Sequence, residues 1–91
     1  MSVTVRIPTQ LRELSGGNAE ITAEGGSLAT VLDGLERAYP GFRERLFDDQ
    51  GELRRFVNVF VDDEDIRFLD GIDTAVGDRT VVSIVPAVAG G

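Results

Sequence analysis

Arg55-Phe56-Val57-Asn58-Val59-Phe60-Val61-Asp62-Asp63 is the stretch on which the fold turns. Val57, Val59 and Val61 fall on one face of an extended chain, and Phe56, Asn58 and Phe60 fall on the other. This is the strongest strand pattern in the 91 residues. Asp62-Asp63 then predicts a turn into a short extended piece, Asp65 to Phe68, with Leu69-Asp70-Gly71 turning the chain again. Upstream, Phe42, Leu46 and Phe47 have the spacing of a short helical turn, joined to the strand by the polar loop Asp48-Asp49-Gln50-Gly51-Glu52.

Further out, the same two periods recur. Val3, Val5 and Ile7 alternate with Thr4 and Arg6 before Pro8, which predicts a half-buried first strand. After Ser15-Gly16-Gly17-Asn18, the stretch Ala19 to Ala23 predicts a second strand and hence a hairpin. Ser27 is placed to cap a helix whose apolar residues Leu28, Val31, Leu32, Leu35 and Tyr39 follow a 3.6-residue period. Gly34 lies inside it, at a cost of about 1 kcal/mol relative to alanine, and predicts a close approach of the helix to a sheet. Pro40-Gly41 ends the helix. Thr80 to Val85 is a β-branched run closed by Pro86. One long helix after a hairpin, laid across a mixed sheet, is an α+β arrangement of the β-grasp, or ubiquitin-like, type, and it uses 1–91 as a single domain.

Composition removes most catalytic chemistry. The chain has no Cys and no His, and all nine basic residues are Arg. A disulfide framework, a Cys/His zinc site, a Ser-His-Asp triad and a lysine Schiff base are therefore unavailable. The net charge of −7 argues against a nucleic-acid partner and for a basic one. No apolar run approaches the ~20 residues of a membrane span, so neither a membrane partner nor a cofactor is expected and the cytoplasm is the expected compartment.

What remains is the chain's end. Pro86-Ala87-Val88-Ala89-Gly90-Gly91 carries no charge and no ring, and six extended residues reach about 20 Å. Gly90 and Gly91 lack Cβ atoms, so a narrow channel can close on the backbone while an attacking group approaches the last carbonyl. Residues 86–91 are expected to form a flexible tail that delivers the Gly91 carboxylate to another protein. A frayed end without function is the plainer alternative.

The element order, the segment Arg55 to Phe68, the ending Pro86 to Gly91, and Ile7-Pro8-Thr9 with Leu11-Arg12 near the start together resemble the ubiquitin-like sulfur carriers of the MoaD/ThiS family. Within it the likeness is greatest to the CysO-type carriers of cysteine biosynthesis. The resemblance implies a carrier and not an enzyme. An ATP-dependent adenylating enzyme, itself similar to ubiquitin-activating enzymes, would activate the Gly91 carboxylate, and a sulfur donor would displace AMP to leave a thiocarboxylate. A PLP-dependent cysteine synthase would then receive the sulfur, and a zinc metalloprotease would release cysteine. The small subunit of molybdopterin synthase and a ubiquitin-like protein modifier are the alternatives the same features allow. The absence of Lys suits a carrier that must not acylate itself, although a coding preference for Arg accounts for it equally well.

Two surfaces follow. With the valines turned to the helix, the opposite sheet face carries Phe60, Val81 and Val85 as a partner-docking patch beside the tail. Phe56 either joins that patch or packs beneath the Phe42 to Phe47 segment as secondary core. The acidic runs Asp48-Asp49 and Asp62-Asp63-Glu64-Asp65 lack metal-loop spacing and are expected to be solvated loops, with steering toward a basic activating enzyme as the functional alternative. Gly16-Gly17 and Gly25-Gly26 are expected to be turns.

Overall fold

The computed structural model describes residues 2–86. Strands β1 (Ser2–Arg6) and β2 (Glu20–Glu24) form the antiparallel hairpin, with Ser2 opposite Glu24 and Arg6 opposite Glu20. Helix α1 (Leu28–Ala38) follows, then the short helix α2 (Phe42–Leu46). After these come strands β4 (Val57–Val61), β5 (Glu64–Asp65) and the final strand β7 (Val81–Pro86). The sheet order is β2-β1-β7-β4-β5, with β1 and β7 parallel at the centre and the other pairs antiparallel. This is the β-grasp arrangement, and the chain's last strand lies in the middle of its sheet.

The alternating valines explain why. Val3 and Val5 of β1, Val57, Val59 and Val61 of β4, and Val82 and Ile84 of β7 are all buried on one face. Against them pack Leu28, Val31, Leu32 and Leu35, the apolar stripe of α1. Each such side chain contributes roughly 1.5–3 kcal/mol when fully buried. A one-residue slip of β4 would turn its valines to solvent, so burial also fixes the register.

Ser27 caps α1 as its sequence position predicts, its Oγ accepting from the Thr30 amide at 3.2 Å. A second restraint was not visible in the sequence. Residues Gly26–Ser27 (β3) pair with Ala75–Val76 (β6), and the Leu28 amide donates to the Thr74 carbonyl at 2.9 Å. Two-residue strands are too short to show a period. The piece Asp65 to Phe68 also departs from expectation. Only Glu64–Asp65 is extended, and Ile66–Phe68 is a 3-10 turn that buries Ile66, with the Asp65 carboxylate accepting from the Arg67 amide at 2.8 Å.

Gly34 is a further correction. It faces solvent, and a Cβ built there meets nothing within 4 Å, so no close helix–sheet approach requires it. Gly34→Ala is expected to raise stability by about 0.5–1 kcal/mol, read as a higher urea midpoint with an unchanged slope.

The corner between α1 and α2 depends on Glu36. Its carboxylate accepts from the Arg43 amide at 2.8 Å and from the Gly41 amide at 3.2 Å. Gly41 itself has φ of 117°, and a Cβ there would lie 3.1 Å from Leu14 Cδ2. Arg43 returns an ion pair to Asp33 of α1. The Arg43 amide chiefly, then the Gly41 amide and the Arg43 charge, hold the Glu36 carboxyl below its ordinary value of 4.5, against a small opposing effect of burial. A lowered folded pKa stabilises fully above the unfolded value and loses that stabilisation as pH falls through the folded one. Glu36→Gln should therefore cost roughly 0.5–1 kcal/mol at neutral pH, discounted for solvent screening, with the deficit closing as pH falls below the ordinary value of 4.5 and through the lowered folded one. Paired urea titrations at neutral and acidic pH check both the sign and the window.

Candidate functional site

The root of the tail is set by two pairings. Val85 and Pro86 lie opposite Asn58 and Val57 of β4, and on the other side Ser83 lies beside Arg6 of β1. Pro86 is thus the half-buried last residue of β7, not the first of the tail as the sequence suggested. A proline is tolerated there because it ends the strand and need not donate further along the ladder. Ala87, Val88, Ala89, Gly90 and Gly91 lie outside the described residues.

The open face of the sheet carries the expected apolar side chains, but spread along its length: Val85 is beside the root, Phe60 lies opposite Ser83 midway along β7, and Val81 is at the far end of β7 next to Asp62, not beside the root as the sequence suggested. Phe60 and Val81 are half-buried and Val85 is 45% exposed. Phe56 is 59% exposed, which settles its two readings: it is not secondary core beneath the Phe42 to Phe47 segment. It occupies a corner of the turn closed by the Val57 amide on the Arg54 carbonyl at 3.0 Å, and so projects at the start of β4. The core under α2 is instead filled by Phe42 and Leu46, both buried, with Phe47 packed at its margin.

Sequence reasoning missed Arg67. Its guanidinium donates to Asn58 Oδ1 at 2.6 Å and to the Val57 carbonyl at 2.9 Å, and it pairs with Asp65 at 3.7 Å. It therefore fastens the 3-10 turn to β4, opposite the end of β7. Only the hairpin geometry brings residue 67 back to residue 58. The next residue, Phe68, is 86% exposed and was not anticipated as a surface aromatic.

The acidic runs serve the backbone. Asp48 Oδ1 accepts from the Gln50 and Glu52 amides at 2.9 and 3.0 Å, and Asp62 Oδ1 accepts from the Val81 amide at 3.0 Å. Asp62 and Asp63 have φ of 49° and 72°, the left-handed pair that closes a two-residue hairpin. Among the described residues no three acidic side chains are grouped so as to hold a metal ion, and no helix is long and apolar enough to cross a membrane. A cleft of about 620 Å3 lies on the helical side between α1 and the Phe47 to Arg54 segment. A shallower depression of about 430 Å3 lies at the tail root, bordered by Arg6, Pro8, Arg12, Val85 and Pro86.

A mixed five-stranded sheet with the chain's last strand at its centre and one main helix across it places the molecule among the ubiquitin-like β-grasp proteins. More narrowly, the chain belongs to the ThiS family, whose model matches residues 5–91. It is 50% identical to the sulfur carrier protein CysO of Mycobacterium tuberculosis over 93 residues, covering all of both chains. The crystal structure of that species' CysO superposes with a TM-score of 0.90 at 49% identity, covering 94% of this chain and 99% of the other. An Amycolatopsis orientalis BexX/CysO complex contains a chain that matches with a TM-score of 0.91 at 43% identity, covering 98% of this chain and 99% of that one. The chain is also 34% identical, over the full length of both, to small archaeal modifier protein 3 of Haloferax volcanii.

Proposed function

We propose that this protein is a sulfur carrier whose working group is the Gly91 carboxylate and whose route is cysteine biosynthesis. The observation that carries the reading is positional. The strand leading to Gly90-Gly91 is held between β1 and β4, so the rigid sheet fixes where the tail begins. The five residues beyond Pro86 span at most about 17 Å. Full-length similarity to a protein named as a sulfur carrier supports the reading.

The chemistry follows from the group. A carboxylate resists nucleophiles because of its negative charge. Its oxygen attacks the α-phosphorus of ATP on the adenylating enzyme, and pyrophosphate leaves. A sulfide equivalent then attacks the neutral acyl carbon, AMP departs, and a thiocarboxylate remains at Gly91. Val88, Ala89 and Gly90 are slender enough to thread a channel, and Pro86 starts them from a fixed direction. Phe56, Phe60, Val81 and Val85 form the face on which the activating enzyme, and later a PLP-dependent cysteine synthase and a releasing zinc metalloprotease, would rest. The carrier itself supplies no catalytic side chain.

The similarity to an archaeal modifier protein favours a second reading, conjugation to lysines of other proteins. Protein purified from its native cells during sulfur limitation separates the two by intact mass. The carrier reading predicts the free chain together with a species heavier by one cysteinyl residue, about 103 Da. A ladder of large conjugates without that species would favour the modifier.

A further inference from the structure

The sequence's net charge of −7 points toward basic partners, yet the end of the molecule that presents the tail has the opposite sign. Four of the nine arginines border the root of the tail. Arg6 lies beside Ser83 in the parallel β1·β7 pair. Arg12 and Arg6 both line the depression that contains Val85 and Pro86. Arg55 stands with Phe56 at the corner of the turn that starts β4, and Arg67 is bonded to Asn58 and to the carbonyl of Val57, the partner of Pro86. Arg6 and Arg67 each have one exposed acid, Glu20 at 3.6 Å and Asp65 at 3.7 Å. Among the described residues Arg12 and Arg55 form no ion pair. The Arg12 Nε donates only to the Ile7 carbonyl, at 3.1 Å. Beside these arginines lie the exposed Phe56, next to Arg55 in the turn, and the exposed Val85, in the depression that Arg6 and Arg12 line.

The acids collect elsewhere. The Asp62-Asp63-Glu64 turn lies at the opposite end of β4, beside the start of β7, as the bond from the Val81 amide to Asp62 shows. Asp78, which accepts from the Ser2 amide at 2.9 Å, is at that same end. The cleft on the helical side is mixed, with Asp33, Glu44, Asp48 and Asp49 beside Arg43, Arg45 and Arg54. The molecule is therefore polar along the strand direction, acidic where β1 begins and cationic where β7 ends.

We propose that this cationic collar docks a carboxylate-rich rim around the channel mouth of the enzyme that takes the tail. Exposed apolar side chains beside charge have the composition of a protein interface, and complementary rims raise association rate and set orientation more than they raise affinity. With an acidic body behind it, the collar turns the tail end toward an acidic mouth and the opposite end away. The inference rests on the carrier reading and names the chemistry of its partner.

The test measures the ATP-dependent rate at which purified protein gains about 16 Da in a desalted native-cell extract supplied with sulfide. The variants are Arg55→Glu, Arg6→Glu/Arg55→Glu, and Arg79→Glu at the opposite end, each first shown to unfold at the wild-type temperature. The collar predicts a loss of about ten-fold or more for the double reversal at low salt, a smaller loss for Arg55→Glu, and a gap that narrows as salt rises. Arg79→Glu should load as the wild type does. Wild-type rates in the double reversal, or equal losses in all variants, would overturn the collar while leaving the carrier reading intact. A wild-type chain that never gains 16 Da would remove both.

Discussion

Removing Gly91 alone is expected to abolish sulfur loading completely while leaving thermal unfolding where it was. The buried core runs from Val3 to Ile84, and β7 is paired with β4 up to Pro86 and with β1 up to Ser83, so the fold is complete without the last residue. The chemistry is not. Without Gly91 the terminal carboxylate sits on Gly90, one residue or about 3.5 Å short of the adenylating centre. A nucleophile and electrophile displaced by that distance lose the alignment that makes the step effectively intramolecular. Melting followed by circular dichroism and loading followed by intact mass give the two readings on one sample. Loading that survives the deletion would show that some other group carries the sulfur.

Phe42→Ala is expected to have the opposite signature, a large loss of stability with the tail's chemistry preserved. Phe42 opens α2, is buried, and belongs to the same core cluster as Leu32 and Leu35 of α1. Truncating a buried Phe to Ala costs roughly 3–5 kcal/mol through lost transfer energy and a residual cavity. A domain of this size has only about 5–15 kcal/mol in total, so the melting temperature should fall by on the order of 15–30 °C. Loading per folded molecule, measured well below the new midpoint, should match the wild type. A fall of only a few degrees would mean that α2 and its neighbours collapse to fill the space.

How much of this was legible beforehand depended on repetition. Val3 and Val5 of β1, Val57, Val59 and Val61 of β4, Val82 and Ile84 of β7, and the stripe Leu28, Val31, Leu32, Leu35 repeat their periods often enough to fix strand faces and helix, and all of these residues are buried as those periods require. The β3·β6 pair and the 3-10 turn at Ile66–Phe68 do not repeat anything, being two or three residues held by contacts with distant chain. Gly34 misled because an exposed helical glycine and a packed one look alike in sequence. Phe56 was left between two readings for a similar reason. An aromatic one residue before a strand can turn either way, and the Arg54–Val57 turn decides it.

The candidate site divides along the same line. The Gly-Gly end can be proposed from sequence alone because its glycines are consecutive residues, and it lies outside the described residues. The arginines that surround its root were invisible, since residues 6, 12, 55 and 67 meet only through the parallel pairing of the first and last strands and the β4·β5 hairpin. Net charge was a poor guide for that reason: a sum of −7 conceals the separation of its parts.

The central claim, that Gly91 becomes a thiocarboxylate, has a direct measurement. The chain contains no cysteine, so a sulfur nucleophile generated at the C-terminus is the group that a thiol-alkylating reagent should find at neutral pH. Protein purified from native cells would be treated briefly with iodoacetamide and its intact and C-terminal peptide masses recorded. The account predicts a species heavier by about 16 Da that gains about 57 Da more on alkylation, both located at Gly91. Unmodified Gly91 with no alkylatable species, in cells replete with and starved of sulfur alike, would contradict it.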